Sequence, residues 1–240
     1  MPATSTRMPE AEDYRWIANL LQASDSFYPT GAYAHSFGLE GLVQAGSVRD
    51  RATLRAFLLE QALPSLSRTD LPIAARAWSA AGTPPDWEKL RELSFLGAAV
   101  RGALEPRLAS EAIGRQRMEL AARLHGGFAA EFAERASAGR WPVSAAMAAA
   151  VEGRVHGAPC EAVLAAAAYS AAAGLVAAAI KLLRLGQNSS QTLLRELVGR
   201  IPALIAEALA LRPEDIGTFN PWWDIAASRH ETADGRLFIS

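Results

Sequence analysis

The sequence predicts an all-α protein, a single compact multi-helix domain arranged around a buried, alanine-rich central helix. Two observations carry this prediction. Apolar residues recur with the spacing of amphipathic helices, whereas the period-two alternation of a half-buried strand is not sustained anywhere in the 240 residues. The breaks between the periodic stretches are short, which favours one helical domain without a long linker.

The helices can be placed in order from their periodicity and their end signals. Residues 1–13 are polar, lack the apolar core of a secretory signal and are expected to be a disordered lead; a helical domain follows over 14–211 and a less regular tail over 212–240. The predicted helices are 14–21, 37–45, a segment after residue 50 that Pro64 interrupts, 71–80, 87–100, 105–124, 127–136, 144–152, the long alanine-rich helix that follows residues 156–159 and is ended by Gly186, and one from 189 or 190 to 211 with Pro202 inside it. Asp50, Asp70 and Asp86 are expected to cap the helices that follow them, and Gly186 is expected to end a helix in a left-handed conformation.

The segment 162–180, AVLAAAAYSAAAGLVAAAI, has no charge and has the length of a membrane span. It consists mostly of alanine rather than of the Leu, Ile and Phe that drive insertion, and its flanks lack a belt of Trp and Tyr. A helix buried inside a helical protein is therefore favoured, with small residues that let its neighbours approach closely. A scaffold associated with membranes through this helix is the less favoured alternative.

Composition disfavours several classes of protein. The 24 basic and 25 acidic residues leave a formal net charge of −1, whereas a nucleic-acid binder usually has a basic excess or stripe. The single cysteine, Cys160, cannot form an internal disulfide, so nothing calls for an oxidising compartment. We therefore expect a cytoplasmic protein without a nucleic-acid or membrane partner.

Common catalytic signatures are missing from the sequence. It contains no GxxxxGK[ST], GxGxxG, HExxH or GxSxG motif. His156 and Cys160 lie four residues apart, but Pro159 stands between them and no second pair has ligand spacing. The sequence thus predicts no enzyme, no cofactor, no catalytic residue and no metal ligand. The alternative is a helical enzyme or metal-binding protein that uses His35, His156 or His230.

The first unusual segment is SDSFYPTGAYAHSFGLE, residues 24–40. Pro29 and Gly31 predict a turn. Ser36 can cap the next helix, and Glu40 falls in its first turn, near the positive end of the helix dipole. The structural alternative is a corner of the fold that aromatic side chains fill.

Two further segments are AAIKLLRLGQ, residues 178–187, and DIAASRHETADGRLFIS, residues 224–240. Lys181 and Arg184 suit the negative end of a helix dipole, but a lysine that leaves so apolar a helix can equally reach a partner. Leu237 and Phe238 near the chain end are either docked on the body or held ready for a partner. The residues themselves leave both questions open.

Together these segments resemble the urease accessory protein UreF family, over roughly residue 14 to the end. The family has a Pro-x-Gly turn before a Ser-x-Gly-Leu-Glu run, a Lys-Leu/Ser-x-x-Leu-Gly-Gln helix ending, and an Asp-Ile-Ala…Arg-His-Glu…Arg-Leu-Phe-x-Ser tail. The matching residues are Pro29, Gly31, Ser36, Gly38, Leu39 and Glu40; Lys181, Leu182, Leu185, Gly186 and Gln187; and Asp224, Ile225, Ala226, Arg229, His230, Glu231, Arg236, Leu237, Phe238 and Ser240. Glu105, Ser110, Gly114, Arg117 and the His156-Gly157 pair look similar as well. The sequence departs from many members at Ala34-His35-Ser36 and at Ile239.

The resemblance implies an all-helical accessory protein for urease maturation that is not itself an enzyme. Members of the family bind the accessory protein UreD, called UreH in some organisms, and the GTPase UreG. Together they meet the apo-urease subunits and support nickel insertion, and the accessory protein is often a homodimer. Whether this chain binds nickel or only positions its partners stays open.

The resemblance also assigns expected roles to residues. Lys181 would present a cation to the GTPase, and the tail would order against UreD with Leu237 and Phe238 as apolar anchors. The predicted partner-binding residues are Lys181, Arg184, Gln187, Asp224, Arg229, His230, Glu231, Arg236, Leu237 and Phe238. The predicted structural motif is Pro29, Gly31, Ser36, Gly38 and Glu40.

Overall fold

The computed structural model describes residues 14–240, so the predicted lead, residues 1–13, lies outside the described residues. Over residues 14–240 the regular structure is helical and contains no strand, which confirms the all-α prediction. The helices are α1 Arg15–Ser24, α2 Leu39–Gln44, α3 Arg51–Phe57, α4 Leu63–Arg68, α5 Asp70–Ala80, α6 Trp87–Ala99, α7 Leu104–His125, α8 Gly127–Ala138, α9 Ala145–Val155, α10 Cys160–Leu183, α11 Gln187–Val198, α12 Ile201–Ala210 and α13 Pro221–His230. Short 3₁₀ turns occur at Ala32–Ala34 and Pro213–Asp215.

Two of the three predicted aspartate caps are confirmed. The Asp50 side chain accepts a hydrogen bond from the Thr53 amide at 2.8 Å, and the Asp86 side chain accepts one from the Lys89 amide at 2.9 Å. Asp70 is not a cap, because it is already the first residue of α5 and its carboxylate pairs with Arg101. The ion pair with Arg101 replaces the capping interaction that the sequence suggested.

The prolines have different effects from those predicted. Pro64 does not interrupt its helix, because α3 continues through a π-helical segment, Leu58–Ala62, into α4. The wider π turn changes the hydrogen-bond ladder just where Pro64 has no N–H to donate. Pro202 does divide the helix predicted to reach residue 211, and it lies in the first turn of α12, where its missing N–H costs little.

The end of α10 differs from the prediction. Arg184, not Gly186, takes the left-handed conformation, with φ +52°. Gly186 is extended, with φ −70° and ψ 148°, and precedes the first residue of α11. The helix therefore ends earlier than a glycine signal alone suggests.

The alanine-rich helix α10 is the centre of the fold and contacts α1, α2, α5, α9, α11 and α12. Its length and composition would also suit a membrane span, but 44% of its most apolar window is buried inside the protein. Ala168, Ala172 and Ala179 are fully buried, whereas Tyr169 and Gly174 on the other side are exposed. The helix thus packs in the core on one side and leaves Tyr169 and Gly174 accessible on the other.

The region 212–240 is more regular than predicted, because it contains α13. This helix packs on α2 and α7. Its approach to α2 requires glycine: a Cβ atom at Gly41 would lie 2.2 Å from the Ala226 carbonyl oxygen, and one at Gly38 would lie 2.8 Å from Trp223 Nε1. The glycine of the Ser-x-Gly-Leu-Glu run therefore serves the docking of the C-terminal helix.

Candidate partner-binding site

The first segment and the tail, which lie far apart in the sequence, pair through their backbones. The Ile239 amide donates to the Ala34 carbonyl at 2.9 Å, and the Ser36 amide donates to the Ser240 carbonyl at 2.6 Å. The Ser36 hydroxyl donates to the same carbonyl at 2.8 Å. These bonds hold the last residues of the chain against residues 34–36.

The side chain of Glu40 binds the backbone of the tail. Its side chain is buried, and its two carboxylate oxygens accept hydrogen bonds from the amides of Leu237 and Phe238 at 2.8 and 3.0 Å. Glu40 does lie in the first turn of α2, as predicted, but the carboxylate binds tail amides rather than only the helix end. Gly38, not Ser36, is the N-cap, although the Ser36 hydroxyl still accepts a hydrogen bond from the Glu40 amide at 3.3 Å.

His230 links Glu40 to a second carboxylate. Its Nε2 lies 2.9 Å from Glu40 Oε2 and its Nδ1 lies 2.7 Å from Glu105 Oε2. Arg236 donates to the other oxygen of Glu105 at 2.7 Å, so Glu105 joins His230 and Arg236 in one network. The pairing offsets the cost of burying these charges.

Lys181 joins the third segment to this site. Its Nζ lies 3.5 Å from the ring centroid of Tyr33 and 5.0 Å from that of Phe238. A cation over aromatic rings is held without a counter-charge. The side chain remains exposed, as do Arg184 and Gln187, so these groups are accessible at the end of α10.

The two apolar residues near the end of the tail, Leu237 and Phe238, differ in their exposure. Phe238 is buried and packs in the core of the protein itself, whereas Leu237 is 61% exposed. Of the two, Leu237 is available to a partner. Arg229 and Glu231 are also exposed, and His230 between them is enclosed by carboxylates.

Residues 219–225, at the start of α13 and just before it, also present an apolar surface. Phe219 is 86% and Trp222 76% exposed, and Ile225 is exposed as well. Near them the Asp224 carboxylate contacts no cation or hydrogen-bond donor of residues 14–240, and burial raises the pKa of its carboxyl group. Exposed aromatic side chains that lie close together are typical of a protein–protein contact surface.

The remaining motif residues shape the first segment. Gly31 takes φ +79°, as a turn requires, and the Pro29 carbonyl accepts a hydrogen bond from Gln116 at 2.8 Å. His35, where the sequence departs from many relatives, lies with Nδ1 2.8 Å from the Ser240 hydroxyl. Burial lowers the pKa of His35, and the nearby Glu105 carboxylate opposes this shift. Its ring therefore contacts Ser240 of the tail.

The sequence indicated most of these residues, but two contributors were missed. Tyr33 is one of the aromatic residues of the first segment to which the sequence assigned no role, and Glu105 was only part of a mid-chain similarity. The structure gives Tyr33 the closest contact to Lys181 and makes Glu105 the shared acceptor of His230 and Arg236. No local sequence pattern predicts either contact, because each depends on the packing of distant helices.

Comparison with known proteins shows which family the chain belongs to. The family model described as UreF matches residues 48–198. The chain is 38% identical to the urease accessory protein UreF of Methylibium petroleiphilum, over 88% of this chain and 89% of that protein. It is 31% identical to that of Paracidovorax citrulli over 93% and 89%, and 32% identical to that of Azorhizobium caulinodans over 89% and 90%. The chain therefore belongs to the UreF family of urease accessory proteins.

Proposed function

We propose that the protein is a non-enzymatic scaffold of urease maturation that binds UreD (UreH) and the GTPase UreG and supports nickel insertion into the apo-urease subunits. It acts in the cytoplasm and as a homodimer, which brings two copies of each partner together. The observation that carries the proposal is the convergence of three motifs on one surface, where the ordered tail lies beside the exposed Lys181.

The chemistry of this surface suits two kinds of contact. Lys181 and Arg184 are exposed cations at the end of α10 and can meet an acidic surface of the GTPase. Trp222, Phe219 and Leu237 expose apolar area that a second partner can cover, and Asp224 can accept a cation from it. The two kinds of contact use different groups, so they can be tested separately.

The test is co-purification with UreD and UreG together with activation of apo-urease in a reconstituted mixture. Lys181→Ala is expected to lower UreG binding and urease activation while leaving helicity by circular dichroism unchanged. Lys89→Ala is the matched control, because Lys89 is the other lysine of the sequence and forms an exposed pair with Glu92. Loss of helicity in Lys181→Ala would instead make this lysine structural.

The UreD contact is tested by Trp222→Ser, which removes an exposed ring without opening the core. We expect weaker capture of UreD and an unchanged unfolding midpoint. If the native chain captures neither UreD nor UreG under conditions in which a curated relative captures both, the proposed function is wrong.

A further inference from the structure

Two histidines meet at the ends of two neighbouring helices, away from the surface described above. His125 is the last residue of α7, and His156 follows the last residue of α9. Their Nε2 atoms lie 3.1 Å apart, and their ring planes are inclined at 75°. We propose that His125 and His156 form a binding site for one divalent transition-metal ion of the class that prefers imidazole, such as Ni²⁺, Cu²⁺ or Zn²⁺.

The separation of the two nitrogens is the first argument. Imidazole nitrogens bind such ions at about 2.0–2.1 Å. Two ligands at that distance, placed at an angle between square and tetrahedral, lie roughly 2.8–3.4 Å apart. The observed 3.1 Å falls in this interval, so the ion can enter with little movement of either ring.

The surroundings of His156 are the second argument. The Nδ1 atom of His156 is buried and has no hydrogen-bond partner in the part of the chain that the structure describes. Within that part, the polar contact of the His156 ring is the one that its Nε2 atom makes with His125. Without metal, one Nε2–H donates to the other nitrogen. An ion that engages both Nε2 lone pairs displaces this hydrogen bond, and the proton moves to the Nδ1 atom of the ring that donated it.

Glu152 provides the negative charge near the site. Its candidate ligand atom and those of the two histidines all lie within 4.8 Å of one another. Its carboxylate already accepts hydrogen bonds from Arg117 at 2.6 Å and from the Tyr28 hydroxyl, so it is not free to leave them. We therefore assign Glu152 to a water-bridged position, where it accepts a hydrogen bond from a metal-bound water and offsets the charge of Arg117.

The ligand set determines which ions fit. Two imidazoles with water in the remaining positions suit Ni²⁺, Cu²⁺ and Zn²⁺, whereas Mg²⁺ and Ca²⁺ require oxygen ligands. Cys160, which the sequence places four residues after His156, is not needed. Burial raises the pKa of its thiol to about 11, so it does not supply a thiolate at neutral pH.

The metal site is independent of the proposed scaffold function. Glu105 and His125 lie near opposite ends of α7, about 30 Å apart at 1.5 Å per residue. Metal binding can therefore be measured on the isolated chain, whatever becomes of partner binding. The two proposals can fail separately.

The experiment is isothermal titration of the full-length, tag-free chain with NiCl₂, ZnCl₂ and MgCl₂. We expect one equivalent of Ni²⁺ or Zn²⁺ and no Mg²⁺ to bind. His125→Ala is expected to weaken binding by roughly tenfold or more. His125 is exposed at a helix end, so this variant should keep its helicity. His156→Ala should have the same effect on binding, and His35→Ala, at a distant histidine, should have none.

A spectroscopic readout identifies the ligands directly. One equivalent of Cu²⁺ should give an electron paramagnetic resonance spectrum with coupling to two imidazole nitrogens, reduced to one in His125→Ala. Absence of binding, or binding that His125→Ala leaves unchanged, would overturn the proposal.

Discussion

The ammonium nitrogen of Lys181 lies 3.5 Å from the centre of the Tyr33 ring and 5.0 Å from that of Phe238. These three residues come from the three segments that stand out in the sequence, so a single contact joins all of them. The rings position the charge without neutralising it, which leaves the ammonium group available to a partner.

The contact between Lys181 and Tyr33 can be measured with a double-mutant cycle. Lys181→Ala, Tyr33→Leu and the double variant should reveal a coupling of about 0.5–1 kcal/mol in the free energy of urea unfolding, because the pair is exposed. Additive effects of the two single substitutions would show that the Tyr33 ring does not interact with Lys181 in solution.

Glu40 is expected to be the residue on which the ordered tail depends. Glu40→Gln removes the charge opposite His230 and one acceptor for the tail amides, and should lower the free energy of unfolding by about 3–5 kcal/mol. Urea denaturation measures this loss, and carboxypeptidase digestion should show faster release of the last residues. Glu231→Gln, on an exposed neighbour of His230, should change stability by less than about 0.5 kcal/mol. Equal effects of the two substitutions would contradict the central role of Glu40.

Helix packing on α2 gives a third prediction. Gly41→Ala would place a methyl group 2.2 Å from the Ala226 carbonyl oxygen, which backbone movement must relieve. We expect a loss of about 1–3 kcal/mol in unfolding free energy. The matched control is Gly174→Ala on α10, where nothing lies within 4 Å and alanine should stabilise the helix. A neutral Gly41→Ala would mean that α13 does not approach α2 this closely.

Local signals explain which parts of the fold the sequence predicts well. Asp50 and Asp86 precede helical runs and can form their caps without help from the rest of the chain. Asp70 has the same local pattern, but Arg101 from beyond α6 draws its carboxylate away. Pro64 likewise sits in a helix that tertiary packing continues through a π segment. These differences come from contacts between elements, which a local pattern does not contain.

The candidate site, like the fold, could be predicted only in part. The tail motif and the Ser-x-Gly-Leu-Glu run could each be recognised, and so could the lysine that ends the apolar helix. The contacts between these motifs could not be predicted, because residues such as Glu40 and His230 are 190 positions apart in the sequence. The pair formed by His125 and His156 was missed for this reason too, since the two side chains share a site only through the packing of α7 against α9.

Cys160 is expected to react slowly in the folded protein. Burial raises the pKa of its thiol to about 11, against an ordinary value of 9.0, and only the thiolate is nucleophilic. At pH 8 the thiolate fraction should be about 100-fold lower than in the unfolded chain. Iodoacetamide labelling, followed by mass spectrometry with and without urea, measures this ratio. Rapid labelling of the native protein would show that the thiol is accessible and not shielded by burial.

Asp224 should make the isolated chain less stable at neutral pH, because burial raises the pKa of its carboxyl group above the unfolded value of 3.8. A raised folded-state pKa contributes stability below the unfolded value, and this contribution is lost as pH rises through the folded-state value. Asp224→Asn should therefore raise the urea midpoint at pH 7, and the gain should shrink as pH falls toward 4. Asp234→Asn, at an exposed position, should show no such trend. A lower midpoint for Asp224→Asn at pH 7 would reveal a stabilising partner of the carboxylate within the chain. The predicted rise in the urea midpoint would instead support the view that the Asp224 carboxylate serves contact with another protein and lowers the stability of the isolated chain.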